Sequence, residues 1–340
     1  MAAMQRNAND QELIDLLAAA DRFVFVVGRL CQRRSDTGDS EFYRLAGQLF
    51  RREKTVATVA EATQSVNDRT DHYFSLEKAT TELRDLFQRG EGFYSWEGLR
   101  YFLLEYEQHL RKQAGMGTVR LNWDEFNRSK RDHVTIEHIY PVSPVAGEWP
   151  AFEGRSRGER ATMRNSLGNL LALSQSRNSK FSNRPFDAKK HDAEGIRGYF
   201  NGSYSEIAVA QLRDWTPESV LERGLEMLDF LEARWRVSLG SRGQKLKLLN
   251  LEFLEPAGMP SASWTVDLGD GKISEPVAKK KGTSVGLNSD ERCIKLLEDS
   301  GFPLEMAKQV LKTYKTLTSD TLGFSHEAAV AEIKKLKGIK

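Results

Sequence analysis

The first third of the chain has the alternation of apolar and polar side chains that is typical of amphipathic helices. From Asp10 onward apolar residues recur at every third or fourth position, which places them on one face of a helix. The same spacing returns in four later stretches and predicts helices at residues 41–52, 55–65, 77–88 and 97–112. We therefore expect a bundle of helices at residues 1–115 that acts as a scaffold.

A different pattern begins at residue 133. In the sequence HVTIEHI, residues 133–139, successive side chains alternate between two sets, as they do on the two faces of a β-strand. Pro141 and Pro144 follow directly and end the strand, because proline cannot donate a hydrogen bond to a neighbouring strand. The pattern predicts one short strand, followed by a basic loop.

A second apolar run occupies residues 167–173 and is interrupted by Gly168 and Asn169. The interruption predicts a tight turn or bulge between short strand segments. After Ser174 the sequence QSRNSKFSN predicts a helical turn that Pro185 ends. The predicted order is strand, strand, short helix.

The remainder of the chain predicts more helices and one linker. Thr216 and Pro217 are a cap and a first-turn residue for a closing helix at residues 217–235. Residues 251–284 are rich in Gly, Pro, Ser and Lys and predict a linker that contains a small hairpin. Residues 285–340 predict a small helical module, either a capping domain or a docking unit.

Composition narrows the class of protein. The 340 residues are 39% apolar and 29% charged with a net charge of +2, which suits two or three ordinary globular domains. The two cysteines, Cys31 and Cys293, are too few for a disulfide framework or a four-cysteine zinc site. With no signal peptide and no apolar run of membrane length, we expect a cytoplasmic protein and no membrane partner.

Cations are concentrated around the predicted strands although the whole chain is nearly neutral. Such a cluster is the electrostatic footprint of a nucleic-acid-binding surface, and it is also compatible with a solvated protein surface. The cluster consists of Arg155, Arg157, Arg160, Arg164, Arg177, Lys180, Arg184, Lys189 and Lys190.

The same region contains residue types suited to phosphodiester hydrolysis. That reaction needs a base to take a proton from water and a cation to neutralise charge on the phosphate. His138 is a candidate base, and Glu137 and Asn178 offer the oxygen atoms that hard cations prefer. Asn169 is a candidate for holding the loop that orients His138. A lone histidine is more often structural, but this combination favours catalysis.

The motifs IEHIYP, GNL, RNSKFSN and PFDAKK, in this order, resemble the HNH (His-Me finger) nuclease domain at the C-terminal end of GmrSD-type restriction endonucleases. The resemblance covers residues 80–237. Carried over by position, it makes His138 and Asn169 the catalytic residues and Glu137 and Asn178 the metal ligands. Many relatives in the superfamily carry Asp at the position of Glu137.

The basic residues of these motifs are candidates for contacts with nucleic acid. Arg177 and Lys180 lie in the motif RNSKFSN on either side of Asn178, and Lys189 lies in the motif PFDAKK. Each could instead be an ordinary surface charge. We expect Lys180, Arg177 and Lys189 to contact phosphate groups.

The resemblance implies a mainly α fold with a small ββα-metal insertion, residues 116–250 forming the nuclease domain with its closing helix. It implies a metal-dependent endonuclease that hydrolyses DNA and restricts foreign or modified phage DNA, with Mg²⁺ or Mn²⁺ as cofactor. No DGQQR-like motif and no P-loop occurs, so we expect the nucleotide-handling domain of the two-part family to be supplied elsewhere. Two alternatives stay open, an RNA-cleaving enzyme and a catalytically weak nucleic-acid-binding module.

Overall fold

The computed structural model describes residues 1–115, 117, 119–121, 134–193 and 195–255. These residues are mainly helical, as predicted, with two short strands. The predicted hairpin and the predicted C-terminal module lie outside the described residues. Within the described part of the chain, none of the helices combines the length and the apolar character needed to cross a bilayer.

The helices expected in the first 115 residues are present. Amphipathic spacing located most of them to within two residues, but the helix predicted at 55–65 spans Val59–Tyr73, and the first helix passes into a π-helical segment. The elements are α1 (Ala2–Gln5), α2 (Asp10–Phe23), the π-helix Val24–Leu30, α3 (Asp39–Arg51), α4 (Val59–Tyr73), α5 (Leu76–Gln88), the 3-10 helix Gly92–Ser95 and α6 (Leu99–Gln113).

The elements after residue 133 surround a two-stranded sheet. They are β1 (Val134–His138), α7 (Pro150–Glu153), α8 (Arg157–Asn165), the 3-10 turn Leu167–Asn169, β2 (Leu170–Ser174), α9 (Gln175–Phe181), α10 (Phe186–Lys190), the 3-10 turn Tyr199–Asn201, α11 (Tyr204–Ala210), α12 (Pro217–Trp235), α13 (Arg242–Leu249) and the 3-10 turn Glu252–Leu254. Strand, strand and short helix therefore follow in the predicted order.

The segment between the strands differs from the expected basic loop. It contains α7 and α8, and α8 begins with a capping box in which Ser156 and Glu159 satisfy each other's backbone amides. The tetrapeptide from Ser156 to Glu159 carries this signal in the sequence. This helix fixes the positions of the basic side chains Arg157, Arg160 and Arg164 along it.

The described residues belong to two compact units. One contains residues 1–20 and 38–66, where Ala3, Leu49 and Val59 are among the buried residues of a small apolar cluster. The other contains residues 21–37 and 67–255 and includes both strands. The sheet therefore shares a unit with α5 and α6.

Aromatic side chains form the centre of the core in the second unit. Trp235 at the end of α12 stacks on Phe25 with ring centroids 3.6 Å apart, and Phe102 of α6 packs against Trp235 with centroids 6.2 Å apart. Large rings bury much apolar area, and their stacking adds about 0.5–1.5 kcal/mol per pair. This core holds α6 and α12 behind the sheet.

The turn before β2 is held tightly against α12. Arg223 of α12 is buried and donates to the carbonyl oxygens of Gly168 (2.6 Å) and Leu170 (3.0 Å). A side chain on Gly168 would place its Cβ 1.9 Å from the carbonyl oxygen of Val220. Only glycine allows the two backbones to approach this closely.

Candidate active site

The two strands pair in antiparallel register at the centre of the candidate site. Thr135 lies opposite Leu173, and His138 lies opposite Leu170. Because side chains alternate along a strand, Glu137 and His138 point to opposite faces of the sheet. Glu137 is 3% exposed, whereas His138 is half-buried. Adjacent positions in the sequence therefore have different surroundings.

His138 is held by an amide that fixes its tautomer. Asn165, the last residue of α8, donates from Nδ2 to the carbonyl oxygen of Gly90 at 2.9 Å. Its Oδ1 atom therefore faces His138 Nε2, at 3.0 Å, and accepts the proton that this nitrogen carries. The unprotonated nitrogen of the neutral ring is then Nδ1.

Tyr94 packs on the imidazole ring of His138. The two ring centroids are 4.6 Å apart and the planes are inclined by 28°. Tyr94 is 47% exposed, so the imidazole lies directly beneath a surface residue. The ring is oriented by Asn165 at its edge and by Tyr94 on its face.

Burial keeps the His138 ring neutral. The pKa of His138 is lowered from 6.5 to about 4, mainly by desolvation and also by the nearby positive charges of Arg164 and Lys189. The hydrogen bond to Asn165 opposes this change. At neutral pH the ring is uncharged and can accept a proton at Nδ1.

Asn169 contacts the chain beyond His138. Its Oδ1 accepts hydrogen bonds from Tyr140 N (2.8 Å) and Trp215 Nε1 (3.0 Å), and its Nδ2 donates to the carbonyl oxygens of Tyr140 (3.0 Å) and Arg164 (2.9 Å). The side chain is fully buried and uses its whole hydrogen-bonding capacity. Asn169 ties the exit of β1 to the end of α8.

Glu137 forms a buried ion pair with Lys189. Lys189 Nζ lies 2.6 Å from Glu137 Oε1, and both side chains are at most 3% exposed. Tyr199 donates to the same carboxylate oxygen at 3.3 Å. Burial raises the pKa of Glu137 and lowers that of Lys189, and the attraction between the two charges opposes both shifts. Protein atoms enclose both side chains of this pair.

Lys189 also holds the backbone on which His138 stands. Its Nζ atom donates to the carbonyl oxygens of His138 (3.3 Å) and Ile139 (3.1 Å). Its ammonium group thus has three oxygen partners and no exposed surface. The expected contact between Lys189 and nucleic acid has no support in this arrangement, because the side chain is enclosed by protein.

Asn178 lies on α9 and contacts β1. Its Nδ2 atom donates to Thr135 Oγ1 (2.8 Å) and to the carbonyl oxygen of Ile136 (3.2 Å). Thr135 is on the Glu137 face of the strand, so the described contacts do not bring Asn178 to His138. The expected convergence of these two side chains on one ion stays a prediction.

The two basic residues of α9, Arg177 and Lys180, differ in their surroundings. Arg177 forms a bidentate ion pair with Glu206 and donates from Nε to the carbonyl oxygen of Arg197 at 2.9 Å. Its guanidinium group is therefore committed to protein contacts. Lys180 is exposed on the helix surface, where contact with a nucleic acid is sterically open.

The family model described as GmrSD restriction endonucleases, C-terminal domain, matches residues 78–230. Those residues are similar to the C-terminal domain of GmrSD restriction endonucleases. The match supports a relationship to that family and suggests a nuclease role in restriction. No curated protein and no solved structure matches the chain.

The predicted metal ligands of the GmrSD-like region do not together fit a divalent ion in this arrangement. Hard cations need several oxygen ligands, usually including free carboxylates, but Glu137 is neutralised by Lys189. Among the described residues, no three His, Cys, Asp or Glu side chains come together as a metal site. We therefore assign no residue to hold the expected Mg²⁺, and the metal requirement stays a prediction.

Two functional candidates in the GmrSD-like region were missed from the sequence. Tyr94 lies in the stretch GEGFYSW, which breaks the helical pattern, and Asn165 ends α8. Both lie 27 or more positions from His138 in the chain, and no local spacing rule connects them. Only the folded structure brings them to the imidazole.

Proposed function

We propose that this protein is an HNH (His-Me finger) endonuclease that hydrolyses DNA phosphodiester bonds and acts in the cytoplasm to restrict foreign or modified phage DNA. The observation that carries the proposal is the family match over residues 78–230, which encloses a histidine that is neutral, oriented and close to the surface. The order β1, β2, α9 supports a ββα finger, in which the imidazole stands at the end of the first strand.

The arrangement suits His138 as the general base. Nδ1 takes a proton from a water molecule, the water oxygen attacks phosphorus, and the bond from phosphorus to the leaving sugar oxygen breaks. The leaving oxygen takes a proton from solvent and becomes a hydroxyl group. Asn165 and Tyr94 limit rotation of the ring, so that Nδ1 keeps one direction during proton transfer. General base catalysis of this kind contributes about 10²–10⁴-fold in rate.

Asn169 and Lys189 have positioning roles in this proposal. Asn169 fixes the backbone two residues after His138, and Lys189 fixes the carbonyl oxygen of His138 itself. Neither side chain has exposed surface for a substrate. Lys180, in contrast, is available for a phosphate group of the nucleic acid.

Family resemblance makes Mg²⁺ or Mn²⁺ the expected cofactor, and a nucleotide-handling domain or subunit the expected partner. The experiment includes the metal as a variable. Full-length protein is incubated with plasmid DNA and with structured RNA in the presence of Mg²⁺, Mn²⁺ or chelator. We expect cleavage of DNA with a divalent ion and loss of cleavage with chelator.

The His138→Ala variant tests the proposed base, and His191→Ala is the matched control because His191 has a side chain that is 63% exposed. We expect cleavage by the wild type and by His191→Ala, but not by His138→Ala. Cleavage of RNA alone would favour the RNA-cleaving alternative. DNA binding without any cleavage would favour the binding-module alternative.

A further inference from the structure

A basic cleft lies beside the candidate site, between the loop that follows β1 and helix α8. It encloses about 560 Å³, which is the size of a small-ligand pocket. Aromatic, loop and arginine side chains line it. They include Tyr140, Val145, Trp149, Arg157, Arg160 and Arg164.

Three arginines of α8 give this cleft an excess of positive charge. Arg157, Arg160 and Arg164 are spaced by three and four residues, so they share one face of the helix. Among the residues that the structure describes, none of the three pairs with a carboxylate. Glu153 is the acidic residue at the cleft wall, and its Oε1 accepts from Gly147 N at 2.6 Å.

The arginines of the cleft repel one another, and two buried donors at the cleft have no acceptor among the described residues. Burial and repulsion from Arg160 both lower the pKa of Arg164. Arg164 Nε is a buried donor with no acceptor among the described residues, and so is Trp149 Nε1. Unsatisfied buried donors of this kind are uncommon, and together with unpaired guanidinium groups they indicate a place for an anionic ligand.

The aromatic wall of the cleft is rigid. Tyr140 stacks on Phe152 with centroids 4.0 Å apart and planes inclined by 7°, and Trp149 packs edge-on against Tyr140 at 5.5 Å. Tyr140 is 1% exposed and Trp149 4% exposed, so these rings hold the shape of the cleft wall. The cleft therefore offers the charge of its arginines on a rigid support.

The cleft adjoins the candidate base through the chain itself. Arg164 immediately precedes Asn165, which holds His138 Nε2, and Tyr140 follows His138 by two residues. The positive charge of Arg164 also contributes to the lowered pKa of His138. A ligand in the cleft would therefore be a near neighbour of a group reacting at His138.

We propose that this arginine cleft binds a phosphate group of the nucleic-acid strand next to the one that is cut. The inference rests on the proposed function, which supplies the strand. Guanidinium groups bind phosphate through two parallel hydrogen bonds, which fixes the register of the strand as well as holding its charge.

The test measures binding in a protein that cannot cut. Full-length His138→Ala binds a fluorescent DNA oligonucleotide, and the dissociation constant is measured by anisotropy over a range of salt concentrations. Adding Arg157→Gln or Arg160→Gln should each remove one phosphate contact. Binding at 0.1 M salt should weaken by roughly eight-fold per variant, and the slope of log K against log[salt] should fall by about 0.9.

Arg213→Gln is the matched control, because it makes the same charge change at a side chain that is 97% exposed. Its dissociation constant and salt slope should equal those of the parent. Equal effects of Arg157→Gln and Arg213→Gln would overturn the proposal. Variants that weaken binding of inorganic phosphate but leave oligonucleotide binding unchanged would also overturn it, since the cleft would then serve a free anion.

The two proposals fail in different ways. If wild type does not cut but its DNA binding depends on the cleft arginines, the nuclease proposal fails and the cleft assignment stands. If wild type cuts through His138 while Arg157→Gln and Arg160→Gln bind normally, the cleft assignment fails alone. Circular dichroism of each variant establishes that the fold is retained.

Discussion

Replacing Lys189 with methionine removes the cation that faces Glu137 while keeping a side chain of similar length. The structure places the ammonium group 2.6 Å from the carboxylate, with no exposed surface on Lys189. Removing one member of a buried ion pair leaves the other charge without compensation, which costs about 3–5 kcal/mol. The carbonyl oxygens of His138 and Ile139 also lose a donor.

Urea unfolding, followed by circular dichroism and tryptophan fluorescence, measures this cost. With an m value of about 2–3 kcal/mol/M, the loss corresponds to a fall of roughly 1–2 M in the unfolding midpoint. Lys180→Met is the matched control. Because Lys180 is exposed, its replacement should change the free energy of unfolding by no more than about 0.5 kcal/mol.

The double variant Glu137→Gln/Lys189→Met separates coupling from loss of volume. It removes both charges and keeps an acceptor for Tyr199, so it should be more stable than Lys189→Met alone. The reasoning is refuted if Lys189→Met costs less than about 1 kcal/mol. It is also refuted if the costs of the two single variants add in the double variant.

Three further predictions concern the neighbouring residues. Asn169→Asp replaces a donor to two buried carbonyl oxygens by an acceptor, so the free energy of unfolding in urea should fall by about 3 kcal/mol or more; an unchanged midpoint would contradict the assigned bonds. Gly168→Ala places a Cβ 1.9 Å from a backbone oxygen and should prevent soluble expression. Gly154→Ala is the control, because its added Cβ meets no atom within 4 Å. This control should fold, as thermal melting would establish. The folded-state pKa of His138, about 4, is below its unfolded value near 6.5, so the unfolded chain binds more protons than the folded chain between these two pH values. The stability that depends on this residue should therefore be lost as the pH falls from 6.5 to 4. NMR titration of the ring measures the folded-state pKa, which should be lower still in Asn165→Ala because the hydrogen bond from Asn165 raises it.

The sequence predicted the regular elements well because their signals are local. Apolar spacing located α5, α6 and α12 almost to the residue, and the alternation in HVTIEHI located β1. The capping box from Ser156 to Glu159 is an equally local signal, and it marks the start of α8 within the segment expected to be a loop.

The partners of the site residues could not be predicted from sequence spacing, because these contacts join residues that are far apart in the chain. Lys189 meets Glu137 across 52 positions, and Asn165 meets His138 across 27. Strand alternation already implied that Glu137 and His138 face opposite ways, but which face was buried depended on Tyr199 and Lys189. A short motif therefore located β1 and its histidine, whereas the partners of each side chain depended on the fold.

The rate of DNA cleavage by His138→Ala, compared with wild type and His191→Ala under single-turnover conditions, tests the central claim most directly. If His138 is the general base, its removal should lower the rate constant by about 10²–10⁴-fold, while His191→Ala cuts at the wild-type rate. A folded His138→Ala protein that cuts DNA as fast as wild type would contradict the account.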